Sequence, residues 1–238
     1  MSTIRASFIT IMDNIKQHFE EEAREFDCII LTLIPEYRQM VDTLVSAIPF
    51  DHSASLRVID LGCGTGTVAA RVLQTFPNAQ VTCLDLAENM IAMAQAKLTR
   101  YPLVRYVVGD FSGFGFDGGY DVVLSSLALH HLVTSEEKWH FYRRIYDGLV
   151  PGGIFYNADV VLGSSEFLQD VYMEHWRNFM NRSVSKEEIK GKWIPKYRAE
   201  DRPERLMDQL KWMSEIGFTE VDVLWKYYNF AVYGGVRP

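Results

Sequence analysis

The spacing of apolar positions changes along this chain. Ile4, Phe8, Ile11, Ile15 and Phe19 recur at helical intervals, with acidic residues on the other faces, which predicts an amphipathic helix. A second helix is expected over 28–47, bent at Pro35. From residue 56 the pattern shortens. The β-branched runs at 56–61, 79–86, 104–110, 120–126 and 152–160 read as buried strands. The segments 67–76, 87–100 and 136–148 between them read as helices. Such alternation predicts a mostly parallel sheet with helices on both faces and right-handed crossovers. Residues 161–216 break the pattern: they read as helical, carry many large side chains and contain no strand-like run. Gly217 stands where a helix C-cap is expected. Residues 218–236 then read as two strands with a tight connection, hence an antiparallel pair at the end of the sheet. The expected organisation is one domain over 1–238. It comprises N-terminal helices (1–50), an α/β core (51–160), a helical lid or insertion (161–216) and a terminal β-hairpin (217–238).

Composition narrows the class. A chain of 238 residues with 48% hydrophobic and 23% charged residues is globular in character. A net charge of −7 argues against a nucleic-acid partner, because affinity for a phosphate backbone comes from Lys and Arg. Cys28, Cys63 and Cys83 are odd in number and lack C-x-x-C spacing, which suits free thiols in a reducing compartment. The N-terminus has no uninterrupted apolar core of signal-peptide type, and no run approaches the ~18 apolar residues of a membrane span. A soluble, cytoplasmic protein is the expectation. The acidic end of the first helix, Glu20 to Glu22, opposes binding to an anionic membrane surface. Its apolar face would suit the main domain or a partner subunit, so a homodimer remains open.

Two glycine motifs compete for a ligand. GFGFDG (113–118) satisfies G-x-G-x-x-G letter for letter, yet it precedes a strand rather than opening a helix. No helix N-terminus is there to receive a pyrophosphate. VIDLGCGTG (58–66) has the required context of strand, turn and helix, with Gly62, Gly64 and Gly66 spaced G-x-G-x-G. Thr67 stands where a dinucleotide loop has its third glycine, and no G-K-[ST] follows. Asp60 lies two residues before the first glycine, at the carboxyl end of its strand, where ligands of open α/β sheets bind. A carboxylate there repels phosphate and attracts a cation. Asp85 closes the next strand and can accept hydrogen bonds from two ribose hydroxyls. Asp110 closes the third strand and can accept from an amino group such as that of adenine. Leu86, Met90 and Phe111 could wall a base. The ligand so described carries a ribose, a base and positive charge. S-adenosylmethionine (SAM), with its ammonium and sulfonium, fits it.

VIDLGCGTG, CLDLAENM, VVGDF and SSLALHHL, in this order, resemble the class I SAM-dependent methyltransferases. The resemblance covers roughly 30–160 and the terminal hairpin. It implies a Rossmann-like seven-stranded sheet with an antiparallel last strand. It also implies that the loop Gly62–Cys63–Gly64 to Gly66 holds the methionine part, Asp85 the ribose, and Asp110 with Phe111 the adenine. Ser126 would line the sulfonium region. A narrower likeness is carried by FDCIILTLIPEY, KEEIKGKW and LKWMSEIGFTEVDVLWKYYNFAVYGG, which look like the group containing the carboxy-SAM synthase of tRNA wobble-uridine modification. By that likeness Tyr37 approaches the methionine end. Near Trp193 that synthase carries an arginine for the extra carboxylate. An apolar ring cannot pair with a carboxylate as a guanidinium does, which favours ordinary SAM here.

Methyl transfer from a sulfonium is an in-line displacement in which positioning supplies much of the acceleration. A base is needed only where the acceptor must lose a proton. His131 and Asp159 are the first candidates, with His130, Tyr172 and His175 behind them. A purely structural role for the His pair stays open. No metal is expected, since H-E-x-x-H and Cys/His ligand spacings are missing. Tyr172, Trp176, Trp193 and Tyr197 of the insertion could wall an acceptor pocket. An aromatic pocket suits a small apolar or aromatic molecule, or a cation held on ring faces. The function expected is methylation of a small-molecule acceptor, releasing S-adenosylhomocysteine (SAH). The alternatives are carboxy-SAM synthesis for tRNA modification and a non-catalytic SAM-binding subunit.

Overall fold

The computed structural model describes residues 16–238 apart from positions 22, 24, 112 and 118. The predicted helix over residues 4–19 therefore lies mostly outside the described residues; 16–21 are helical. Helices α1 (Phe26–Leu33) and α2 (Tyr37–Ser46) follow. They correct the expected single bent helix. Pro35 pushes the residue before it out of the helical region, and Ile34 is extended (ψ 114°). Glu36 then enters the left-handed region (φ 53°) before α2 starts, so the chain breaks rather than bends.

The core alternates β1 (Arg57–Leu61), α3 (Thr67–Thr75), β2 (Gln80–Asp85), α4 (Glu88–Leu98), β3 (Val104–Val108), β4 (Tyr120–Ser126), α5 (Ser135–Gly148) and β5 (Leu149–Val160). The insertion holds α6 (Glu166–Met180), a short turn of helix at Lys186–Glu188, a π-helical turn at Ile189–Trp193, α7 (Ile194–Glu200) and α8 (Leu206–Ile216). Gly217, at φ 118°, caps α8 by donating to the carbonyls of Met213 and Ser214. β6 (Thr219–Tyr227) and β7 (Phe230–Val236) close the chain as the predicted antiparallel hairpin.

One seven-stranded sheet runs in the order β3-β2-β1-β4-β5-β7-β6. All pairs are parallel except β7 with β5 and with β6. Both faces are buried, as the apolar strand runs require. Val58, Val122 and Leu124 point into a core shared with α1, α2, α3 and Trp176. Ile59, Leu61 and Val123 point into the opposite core with Phe141, Tyr142 and Met213. The strand order reverses between β1 and β4, the place where α/β sheets open a crevice at their carboxyl ends. Parallel register brings Leu61 opposite Leu84 and Ser125, so the ends of β1, β2 and β4 converge there. No helix among the described residues is long and apolar enough to cross a membrane.

Candidate functional site

Asp60 ends at that crevice. Its side chain is 1% exposed, and neither carboxylate oxygen has a hydrogen-bond partner among the described residues. Burial pushes its carboxyl up to about 7; the Ala69 amide, which faces it without meeting hydrogen-bond geometry, opposes this and the charge of Asp85 adds to it. A buried acid without partners asks for a donor, and Asp60 lines a cavity at the crevice.

The glycine loop forms the floor. Gly62 has φ +70°, and a Cβ there would lie 2.3 Å from the Ala128 side chain, so only glycine fits. The Gly62 and Cys63 amides donate to the Leu84 carbonyl at 2.8 and 3.0 Å. Asp85 then clamps the loop: Oδ2 accepts from the Gly64 amide at 2.8 Å and Oδ1 from the Ala87 amide at 2.9 Å. Burial raises its pKa against these hydrogen bonds. Behind the loop, Lys97 Nζ donates to Asp27 at 2.7 Å and to the hydroxyls of Thr65 and Thr67 at 2.9 and 3.0 Å. Burial alone would raise the Asp27 pKa. The bonds from Lys97, Thr65 and Thr67 hold it below the usual carboxylate range. This network ties α1 to the loop.

Of the twelve positions expected at the cofactor, eleven line this first cavity: Tyr37, Asp60, Gly62, Cys63, Gly64, Asp85, Leu86, Met90, Asp110, Phe111 and Ser126. Gly66 does not. It is the N-cap of α3, at φ +80°, and a Cβ there would crowd Ala94 and Leu98, so its smallness serves helix packing. Ser126 Oγ is buried without a partner, a second polar atom awaiting one. Burial, then the charges of Asp27 and Asp60, raises the Tyr37 hydroxyl well above its ordinary value.

A second cavity adjoins the first. Phe19, Phe26, Leu127 and His131 line both. Leu127 adopts φ +52°, a strained conformation for a branched residue, and its amide bonds the Ala158 carbonyl at 2.9 Å. Trp176, Trp193 and Tyr197 line the second cavity as expected. Tyr172 lines neither cavity: its hydroxyl accepts from Lys226 Nζ at 2.9 Å, pinning the terminal hairpin to α6. The spacing that selected Tyr172 marks a helical face, not what that face meets.

The two histidines divide their roles. His130 Nδ1 is 2.5 Å from Asp159 Oδ1, and its Nε2 is 3.6 Å from Asp201 Oδ1. Burial disfavours the imidazolium, but Asp159 and Asp201 outweigh it and the His130 pKa rises. Burial, then the neighbouring charge of His130, drives the His131 pKa well below its ordinary value, so its imidazole is neutral at pH 7. His131 Nδ1 is 3.4 Å from the Glu200 carbonyl oxygen. Asp159 lines neither cavity; it accepts from the His130 and Val160 amides as well as facing the His130 ring, which corrects its expected place beside an acceptor. His130, His131 and Asp201 bring three possible metal-ligand atoms within 4.8 Å of one another. Asp159 and Asp201 favour the protonated form of His130 at that point.

The sequence pattern gives no sign of the residues that close the site. Phe19 belongs to the segment leading into α1, and Phe26 is the first residue of that helix. Glu20 of that segment caps α4, accepting from the Glu88 and Asn89 amides at 2.7 and 2.8 Å. Lys196, Glu200 and Asp201 enter the second cavity from the end of α7. No local motif marks them; KYRAED reads as an ordinary solvated helix end.

A family model described as a methyltransferase domain matches residues 58–153, the span from β1 to β5 that builds the first cavity. The matched segment and the sheet order are those of the class I SAM-dependent methyltransferase fold. The cofactor of this family is SAM. The chain is 23% identical over 219 residues to a carboxy-S-adenosyl-L-methionine synthase of Nautilia profundicola, covering 90% of this chain and 91% of that protein. It is 32% identical over 151 residues to the biotin biosynthesis bifunctional protein BioHC of Teredinibacter turnerae, covering 59% of this chain but 25% of that one. A solved complex of DhpI with SAM and HEP shares the fold with a TM-score of 0.65 at 18% identity, covering 96% and 98% of the two chains. The first cavity offers hydrogen-bond acceptors suited to SAM. Asp60 could receive a cationic group, and each Asp85 oxygen keeps a lone pair beyond its backbone bond. Asp110 and Phe111 stand at the far wall.

Proposed function

We propose that this methyltransferase moves the methyl group of SAM onto a small-molecule acceptor held in the second cavity. The observation that carries this reading is the junction of the two cavities through Phe19, Phe26, Leu127 and His131. A donor in one cavity and an acceptor in the other would meet there, and holding two reactants in line is the main requirement of the reaction. In this reading Asp60 and Ser126 hold the methionine end of SAM, Asp85 the ribose, and Asp110, Phe111, Leu86 and Met90 the adenine. Residues 1–50 and 161–216 form the lid over the acceptor. The net charge of −7 supports a small molecule over nucleic acid. The free thiols of Cys28, Cys63 and Cys83 support a cytoplasmic setting. Calorimetry tests the cofactor half: SAH should bind, and Asp85→Ala should weaken it at least about tenfold. A protein that binds neither SAM nor SAH refutes the proposal. Production of SAH with any acceptor in a metabolite screen excludes a non-catalytic subunit.

Carboxy-SAM synthesis is the second reading, favoured by similarity over nearly the whole of both chains to proteins of that name. Lys196, lining the second cavity, offers positive charge that could meet a carboxylate. Trp193 opposes this reading, because its indole supplies no guanidinium and its N–H is taken by Glu188 at 3.0 Å. Mass spectrometry of the nucleoside released on denaturing the purified protein separates the two: SAM or SAH supports methyl transfer, and carboxy-SAM supports the second reading.

A further inference from the structure

Two carboxylates share one imidazole at the edge of the second cavity. His130 presents Nδ1 to Asp159, 2.5 Å away, and turns Nε2 toward Asp201 Oδ1. That second separation is 3.6 Å, and His131 Nδ1 lies 3.8 Å from the same oxygen. Both gaps are too wide for a charge-assisted hydrogen bond, which runs about 2.7–2.9 Å. The Glu200 carbonyl, 3.4 Å from His131 Nδ1, is a long contact as well. Two bonds of about 2.0–2.2 Å meeting at a tetrahedral first-row ion span about 3.4 Å. The three atoms lie within 4.8 Å of one another. Their spacing is nearer that of a metal site than that of a hydrogen-bonded cluster.

The surroundings hold these atoms in place. Asp159 stands where an outer carboxylate orients a metal-bound imidazole: it fixes a proton on His130 Nδ1 and leaves the Nε2 lone pair to an ion. It also accepts from the His130 amide at 3.1 Å. The Arg202 amide donates to the His130 carbonyl at 2.8 Å, which ties the end of α7, and with it Asp201, to the turn at Leu129–His131. Both histidines are buried, and the Asp201 side chain is 19% exposed. Two nearby cations serve backbone carbonyls. Lys138 Nζ donates to those of Leu132 and Arg202, and the Arg202 guanidinium to those of Arg198, Ala199 and Asp201. Lys196 lies in the field of Asp201 and Glu200 and is the cation with which a metal ion would compete. No local motif marks the set, because the histidines follow β4 and the aspartate ends α7.

We propose that His130 Nε2, His131 Nδ1 and Asp201 Oδ1 form a binding site for a divalent transition-metal ion. Two imidazoles and one carboxylate suit Zn2+, Co2+ or Fe2+ over Mg2+ and Ca2+, which prefer oxygen ligands alone. Three protein ligands leave a coordination position for solvent or an acceptor oxygen. All three residues line the second cavity, so that position opens into it. His131 lines the first cavity as well, which puts the ion near the junction of the two. The site goes beyond the methyl-transfer reading and stands independently of it.

The test uses the full chain carrying Cys28→Ser, which removes the exposed thiol, stripped of metal by a chelator and assayed in parallel for SAH binding. Titration with Co2+ should saturate at about one equivalent, with the visible absorption of a four- or five-coordinate ion, and Zn2+ should displace it. Mg2+ at about a thousandfold higher concentration should leave the spectrum unchanged. Asp201→Asn should weaken Co2+ binding at least about a hundredfold while SAH affinity changes less than about twofold. His131→Leu gives the same loss of Co2+ binding should Asp201→Asn fail to fold. Absence of Co2+ binding, binding that survives both substitutions, or equal competition by Mg2+ overturns the inference and leaves methyl transfer standing. Co2+ binding in a protein that binds no SAH upholds it and removes the methyl-transfer reading instead.

Discussion

Asp60 allows a prediction that can be worked from the structure. Its carboxyl is pushed up to about 7 by burial, and its oxygens have no partner among the described residues. A cationic ligand group needs the ionised form. With a pKa near 7, about nine-tenths of the protein is ionised at pH 8 and about one-tenth at pH 6. The apparent affinity for SAH should therefore fall about tenfold between those values, which corresponds to about 1.4 kcal/mol. Binding near pH 7 should also release protons. The titratable groups facing Asp60 are Asp85, Tyr37 and Cys63. Tyr37 and Cys63 are both raised, further above this window. Asp85 is raised too, and Asp60→Asn separates the two acids. Calorimetry at pH 6, 7 and 8, in buffers of differing ionisation enthalpy, measures affinity and proton release together. In Asp60→Asn the slope should vanish and affinity at pH 8 should drop at least about tenfold. Equal affinity at pH 6 and 8 in the wild type, or the same slope in Asp60→Asn, would refute the assignment.

The same acid makes a linked statement about stability. Its folded pKa lies above the ordinary 3.8. Between about pH 4 and 7 the folded state therefore holds a proton that the unfolded state has lost, and stability falls as pH rises through that range. Above pH 7 the cost approaches ~4 kcal/mol, on the order of 1.4 kcal/mol per pKa unit. Asn removes the charge but buries an unpartnered amide, at about 1–3 kcal/mol. The ligand-free Asp60→Asn protein should thus be more stable at pH 8 by roughly 1–3 kcal/mol, read as a higher thermal midpoint, while SAH stabilises it less than the wild type.

Other substitutions probe the neighbouring parts. Gly62→Ala should abolish SAH binding and lower the midpoint sharply, because its Cβ would overlap the Ala128 side chain at 2.3 Å; a soluble variant with unchanged SAH affinity would contradict the close approach of the glycine loop to Ala128. Glu20→Gln removes the charged cap on α4 and should cost about 1 kcal/mol by denaturant titration, with a smaller loss at high salt. Asp159→Asn breaks the buried pair with His130 and should destabilise by about 3–5 kcal/mol. The His130 pKa is raised in the fold, so its stabilisation is complete below about pH 6.5 and fades as pH rises through the folded value. The deficit of Asp159→Asn should accordingly be larger at pH 6 than at pH 9.

The first cavity is legible in the sequence because the residues that line it are local. Asp60, Gly62, Gly64 and Asp85 sit at strand ends and in one turn, so sequence spacing places them, and the competing glycine motif at 113–117 is indeed an irregular loop before β4. The acceptor side depends on contacts between distant elements. Tyr172 and Trp176 are four residues apart on α6 and share a face by spacing, yet one meets Lys226 of β6 and the other the Leu33 carbonyl of α1. Asp159 and Asp201 are alike in sequence, but only the second lines a cavity. Which acid flanks His130 from the open side depends on where α7 ends, and no period in the sequence encodes that. The single bent helix expected over 28–47 does not form, for a different reason. A proline does more than kink a helix at its own position; it also drives the residue ahead of it out of the helical region, here Ile34.

The two cavities differ in the charged groups that line them, and the reaction gives that difference a use. A methyl leaving a sulfonium for an oxygen that has lost its proton joins opposite charges, and both disappear in the products. Such a transition state carries less charge than its reactants, so a water-poor surrounding favours it, provided the reactants can be brought there. In the proposed reading Asp60 and Asp85 hold the cationic half in the acid-lined cavity. In the same reading the second cavity holds the other half, and His131, kept neutral by burial and by His130, stands where the two cavities meet. Lys196→Met, which removes a positive charge from the second cavity without touching the first, should lower the rate of transfer more than it lowers the affinity for SAH.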